Sequence, residues 1–225
     1  MDVMEIAVKV VLFMIPFLFS LCFHEFAHAY VAKMKGDDTA EHMGRLTLNP
    51  MPHIDWIGTI GLPVIMVVTG SPFLFGWAKP VPVNPRNLGN RKTDMFWVAF
   101  AGPLSNILLF VVGIVGTFIL IKTSLISKNS FYVGSQMDPI VEMLKIFLSL
   151  NLILAFFNLI PLHPLDGGKI LERFIPYEWN RWLLENQQML NMVFFILIIA
   201  GGLSFLAIPV MYILNISLGF VLGVA

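Results

Sequence analysis

SLCFHEFAHAYVAKMKG, residues 20–36, decides how the chain is read. It closes a strongly apolar run with His24, Glu25 and His28, ahead of the first basic pair, Lys33 and Lys35. Ionisable side chains inside hydrocarbon are costly unless they face protein or water, so those kept there usually carry function. On a helix, positions i and i+4 share one face, and His24 and His28 can offer two nitrogens to a single metal ion. Glu25 sits around the helix from His24, within reach of a water at that ion without ligating it. This is the pattern of metal-assisted hydrolysis: zinc lowers the pKa of a water to about 7, and the carboxylate takes its proton as it attacks a carbonyl. If the helix enters at Ile6, His24 lies about 27 Å along it, just inside the far boundary of a core about 30 Å thick. That depth fits poorly with the bland alternative, helix-end residues facing headgroups.

The rest of the chain supplies the apolar setting. Of 225 residues, 57% are hydrophobic and 12% charged, with a mean hydropathy of +0.81. A soluble domain carries roughly twice that charged fraction. Apolar runs at 6–31, 54–75, 95–121, 139–162 and a charge-free tail at 189–225 compare with the roughly 20 residues a spanning helix needs. The tail allows one span plus a short second one turning back near Pro209. The expected class is an all-α integral membrane protein of about five to six apolar segments. Zero net charge argues against a nucleic-acid partner. The single cysteine, Cys22, excludes an internal disulfide and reads as a small apolar helix residue. Asp2, Glu5 and the want of a small-residue cleavage site make the first run a retained helix rather than a signal peptide. No repeat or low-complexity linker divides residues 1–225, so one membrane-embedded domain is expected, with a core at about 6–170 and a C-terminal helical hairpin at about 189–224.

A catalytic zinc generally has three protein ligands and one open position. FFNLIPLHPLDGGKI, residues 156–170, offers the third. Pro161 and Pro164 interrupt the fourth run where Asp166, Gly167 and Gly168 follow. Broken backbone at membrane depth is tolerated only inside protein or beside water. Asp166 is the expected ligand; His163, or Asp166 as a plain helix cap, are the competing readings.

These motifs impose a topology. His24 and Asp166 must come within about 4–5 Å of each other to share one ion, and both lie at the C-terminal ends of their runs. The two helices must therefore cross the membrane in the same direction, with an odd number of crossings between them. The run at 95–121 is one. The run at 54–75, broken by Gly58, Gly61, Pro63, Gly70 and Pro72, is then a re-entrant or surface-lying segment. Lys33, Lys35, Arg45, Lys79, Arg86, Arg91, Lys92, Lys169, Arg173 and Arg181 fall on one side under this arrangement, against Lys122 and Lys128 on the other. The positive-inside rule puts the metal site near the cytoplasmic face of the cell membrane and the N-terminus outside. In the loop GWAKPVPVNPRNLGNRKT, residues 76–93, the prolines exclude a helix interior, while KPVPVN alternates as an extended edge strand does.

HEFAH followed by PLHPLDGG, with GRLTLNPMPHID, GWAKPVPVNP and AGPLSN between them, resembles the site-2 protease family of intramembrane zinc metalloproteases, and most closely its short bacterial and archaeal members. The resemblance covers residues 19–169. It implies a three-helix catalytic core, zinc held by His24, His28 and Asp166, and Glu25 as general base. It also implies that Asn158 and His53 hold substrate or steady the oxyanion. Trp56 departs from the family pattern, which has a proline after HID. The implied substrate is a transmembrane segment of another protein, unwound locally and captured as a strand, with KPVPVN as the candidate edge; a loop merely packing over the site is the alternative. Any control would come from separate membrane proteins.

AGPLSN reads as a small-residue packing stretch, with Asn106 as packing first and ligand brace second. His42 reads as solvated, and Trp77, Trp97, Trp179 and Trp182 as interfacial aromatics. A zinc transporter or a non-catalytic membrane scaffold is the rival class. Transport calls for ionisable residues strung along a path, whereas here they gather at one depth and include a glutamate that mere binding does not need.

Overall fold

A computed structural model describes residues 2–70, 76–131, 138–199, 201–202 and 204–223, the side chains of 198 and 199 excepted. Helix α1, Val3–Met34, is followed by a single turn, α2, Thr39–His42. A 3-10 turn at Met51–His53 leads to a π-helical turn at Trp56–Gly61 that runs into α3, Leu62–Val68. Then come α4, Arg91–Lys122, and α5, Pro139–Asn158. The short α6, Asp166–Leu171, precedes α7, Tyr177–Glu185, α8, Gln187–Ile199, and α9, Ala207–Leu222. Helices at Val3–Met34, Arg91–Lys122, Pro139–Asn158 and Ser204–Leu222 are long and apolar enough to cross a membrane.

Local chemistry sets the boundaries. Asn90 caps α4 by accepting from Thr93 N at 3.0 Å, and Asp94 returns the favour by accepting from Asn90 N at 2.6 Å. Asp138 caps α5 through Ile140 N at 3.0 Å, with Pro139 at the first helical position, where its missing N–H costs nothing. Asp55 caps the π-turn through Gly58 N at 2.7 Å, and Trp56 opens that turn with its ring exposed. The π-turn and α3 contain 6 and 7 residues, about 20 Å of helix at 1.5 Å per residue, short of a hydrocarbon core of about 30 Å. The rest of that apolar run, 71–75, lies outside the described residues.

Two expectations are revised in form. Among the described residues there is no β-strand, and 76–84 is an irregular strap. The break in the tail falls at Gly201, φ +73°, while Pro209 sits in the first turn of α9, where proline is tolerated.

Side-chain contacts give the directions of the core helices. Phe19 meets Phe147 with ring centroids 6.0 Å apart, and Asn151 Nδ2 donates to Ser20 Oγ at 2.9 Å; positions rise together, so α1 and α5 run parallel. His28 meets α4 at Val98 and Ser20 meets it at Asn106, so α4 is antiparallel to both. The helix interfaces hold Ser20, Gly102, Asn106, Gly113, Thr117 and Asn151, all buried. The outer faces expose Val11, Ile15, Leu108, Val112, Val115 and Ile119. Water would demand the reverse pattern; lipid, as apolar as leucine, leaves small residues and interhelical hydrogen bonds to hold the bundle.

At Gly113 an added Cβ would lie 2.8 Å from Leu148 Cδ2. Gly113→Val should wedge α4 from α5 and lower stability by about 1–3 kcal/mol, measured as a fall in the thermal unfolding midpoint of the detergent-purified protein.

Candidate active site

α1 carries His24, Glu25 and His28 into the bundle, each buried, at 5%, 8% and 7% exposure. Asp166 arrives by a different route. α5 stops at Asn158, and residues 159–165 make a tight turn containing a cis peptide between His163 and Pro164. Gly167 sits against the carbonyl of Ile160 so closely that a Cβ would collide with it, and a Cβ at Gly168 would lie 2.9 Å from His163 N. The two glycines thus let α6 begin folded back on the end of α5, with Asp166 at its first position.

The donor atoms form a nearly equilateral triangle. His24 Nε2 and His28 Nε2 are 3.0 Å apart, and Asp166 Oδ2 is 3.1 Å from the first and 3.2 Å from the second. Tetrahedral zinc with bonds of about 2.05 Å sets its ligand atoms about 3.3 Å apart, so the donor set fits zinc in both chemistry and spacing. Among the described residues, His24, His28 and Asp166 are the group able to hold a metal ion.

Both imidazoles are oriented from behind. His24 Nδ1 donates to Asn106 Oδ1 at 2.7 Å and His28 Nδ1 to the Val98 carbonyl at 2.7 Å. Because those partners accept, each Nε2 keeps its lone pair for a metal. Asn106 Nδ2 donates to Asn151 Oδ1 at 2.9 Å, and Asn151 in turn donates to Ser20 Oγ and to Phe147 O. The whole chain of amides is anchored in helix backbone. α4 can come this close only at Gly102, where a Cβ would meet His28 Nε2 and lie 2.6 Å from His24 Cε1.

Glu25 points out of the triangle, its Oε2 accepting from Val81 N at 2.7 Å. A cavity of about 450 Å³ opens beside it, with apolar walls from Phe17, Leu21, Leu150, Phe157 and Phe194. Asn158 reaches this cavity, its Nδ2 donating to Leu154 O within its own helix. His53 is not brought into the triangle. It is buried, with Nε2 donating to Thr47 O at 2.9 Å, and its carbonyl accepts from Lys79 N at 2.8 Å. His163 is likewise outside the triangle, its Nε2 3.1 Å from Glu172 Oε1, so the geometry favours Asp166 as the third donor. His42 is exposed beside Asp38. Asn106, read first as packing, braces His24. Ser20 and Asn151 escaped notice, although polar residues inside apolar runs were a usable signal. The Val98 carbonyl and Val81 amide left no trace in the sequence, because every residue has them.

Residues 12–201 match the model of Peptidase family M50. The chain is 36% identical over 197 residues to YwhC of Bacillus subtilis, a candidate zinc metalloprotease by name, spanning 88% of this chain and 84% of that one. Rip2 of Mycolicibacterium smegmatis and Rip2 of Mycobacterium tuberculosis H37Rv, named in the same way, are 29% and 30% identical, each across 83% of this chain and 66% of their own. No solved structure matches significantly. The chain belongs to Peptidase family M50.

Asn106→Leu should leave His24 free to turn and weaken zinc binding about 10–100-fold, and Gly102→Ala should do the same by pushing on both rings. Competition with a chromophoric zinc chelator reads both.

Proposed function

We infer that the chain is an intramembrane zinc metalloprotease cutting peptide bonds within or next to membrane-spanning segments of other proteins. The observation that supports this best is the triangle of donors with a carboxylate, Glu25, at its mouth and a wide apolar cavity beside it. His24, His28 and Asp166 hold the zinc. Once bound, the metal supplies Lewis acidity to a carbonyl and lowers the pKa of water to about 7.

Glu25 takes the proton from the attacking water and passes it to the leaving amine. The apolar walls accept side chains of a membrane helix, but its peptide carbonyls are hidden in their own ladder, so the cleaved stretch must enter extended. Asn158 turns its amide from Leu154 O to the substrate carbonyl, a role supported by its position in the cavity lining. Contact between His53 and substrate would require its loop to move; where it stands, it anchors the strap through Lys79. The run at 54–75 does not cross the membrane but is re-entrant or lies along its surface, a reading supported by the shortness of the π-turn and helix at 56–68. The cation-rich loops and the zinc site face the cytoplasm.

The rival transport reading wants further metal-binding groups along a path, and among the described residues one such group occurs. Glu25→Gln separates the two. The variant should keep about one zinc per chain and lose cleavage of a single-span reporter in liposomes about 10²–10⁴-fold. A transporter would instead keep moving zinc. Chelation of the wild type should abolish cleavage, and added zinc should restore it.

Orientation is testable separately. Arg86 and Lys128 are exposed, and the native Cys22 is buried. Cysteines placed at 86 and 128 should react with an impermeant maleimide from opposite faces of inverted vesicles, residue 86 from the cytoplasmic face.

A further inference from the structure

Arg45 entered above only as one of the loop cations that set orientation, yet it is 7% exposed. A buried charge needs partners, and among the described residues no carboxylate lies within ion-pairing distance of it. It spends its guanidinium on backbone instead: Nη1 donates to Pro80 O at 2.7 Å and Nη2 to Lys79 O at 2.6 Å. A planar fork is the side chain suited to gripping two successive carbonyls at once. Burial pulls its pKa below the ordinary value, while the Glu25 carboxylate acts in the opposite sense.

The gripped residues belong to the strap at 76–84. Pro80 and Pro82 have no N–H and a fixed φ, and a residue before proline is held extended. Between 79 and 82 the strap therefore owns two N–H groups. Lys79 N donates to His53 O at 2.8 Å, and Val81 N donates to Glu25 Oε2 at 2.7 Å. Beyond them, Asn84 N donates to Asp37 Oδ2 at 2.6 Å. Burial acts to raise the pKa of Asp37, but its bonds from Thr39, Asn84 and Asn87 hold it below the usual carboxylate range, so this end stays anchored by an anion. The strap is stiff by sequence, tied on both sides of residue 81, and aims one amide at the carboxylate.

We propose that Arg45 is a positioning residue for the reaction: by gripping the Lys79 and Pro80 carbonyls it aims the Val81 N–H at Glu25 Oε2, leaving Oε1 as the oxygen that faces the water. This rests on Glu25 being the base. Without the grip, the peptide at 80–81 can rotate, the amide leaves the carboxylate, and Glu25 samples rotamers that point away from the metal. Lysine, a single point donor, replaces the fork in part.

The test measures kcat, KM and bound zinc for Arg45→Gln, Arg45→Lys, Val81→Pro, Val81→Ala and Arg45→Gln/Val81→Pro, using the single-span liposome reporter that the wild type cleaves. Val81→Pro removes the N–H at a position already held extended, and Val81→Ala trims the side chain but keeps the N–H. Arg45→Gln should keep its zinc and lose kcat about 10–100-fold, the range for residues that orient a metal site from behind, with KM changed much less. Arg45→Lys should recover part of the loss, Val81→Pro should lose more kcat than Val81→Ala, and the double variant should fall no further than its worse parent. Losses that multiply in the double variant, an Arg45→Gln enzyme at the wild-type rate, or zinc lost together with activity would each overturn the proposal. If Glu25→Gln is inactive while Arg45→Gln is not, only the role of Arg45 falls; if Glu25→Gln cleaves normally, the assignment of the base falls first.

Discussion

The site depends on one close approach. At Gly102, α4 lies so near α1 that no Cβ fits between that backbone and the two imidazoles. This contact lets the carbonyl of Val98 and the amide of Asn106 reach the rear nitrogens of His28 and His24. With those nitrogens committed as donors, both front nitrogens turn the same way, and a carboxylate from α6 completes the triangle. A bulkier residue at 102 would move the helices apart and undo the tautomers together with the spacing.

Lipid makes such an arrangement sustainable. In a bilayer, burying apolar surface between helices gains little, so association relies on close packing and on polar groups that find each other. Ser20, Asn106 and Asn151 form one connected set in which most donors meet an acceptor. It joins three helices at the depth just beneath the histidines. Left unpaired in hydrocarbon, those amides would cost several kcal/mol, which favours one register of α1, α4 and α5 over its neighbours. The network that packs the bundle is therefore the same one that orients the His24 imidazole.

On the other side of the triangle the structure is built from backbone. The strap at 76–84 lines the cavity, held by the Gly58 and His53 carbonyls, by Arg45 and by Asp37. Its prolines, legible as helix breakers, also strip it of amides, so that the remaining ones have defined targets. The expected edge strand is not formed here. No neighbouring strand exists among the described residues to pair with it, and the amide at 81 is spent on Glu25 instead.

The sequence by itself determined the membrane setting, the histidine pair with its glutamate, the need for a third donor from the segment holding His163 and Asp166, and the rule that α1 and α5 run the same way. Each follows from composition, from i and i+4 spacing, or from two ends that must share an ion, and none requires knowing which surfaces touch. Only tertiary structure brought Asp166, and not His163, within about 3 Å of the two imidazoles, turned Asn106 from filler into a brace, and gave Arg45, Gly102 and the Val81 amide their partners. Those choices rest on distances of about 3 Å between residues that lie tens of positions apart. Backbone groups and glycines look alike wherever they occur in a chain, and acquire a role only when packing brings another helix against them.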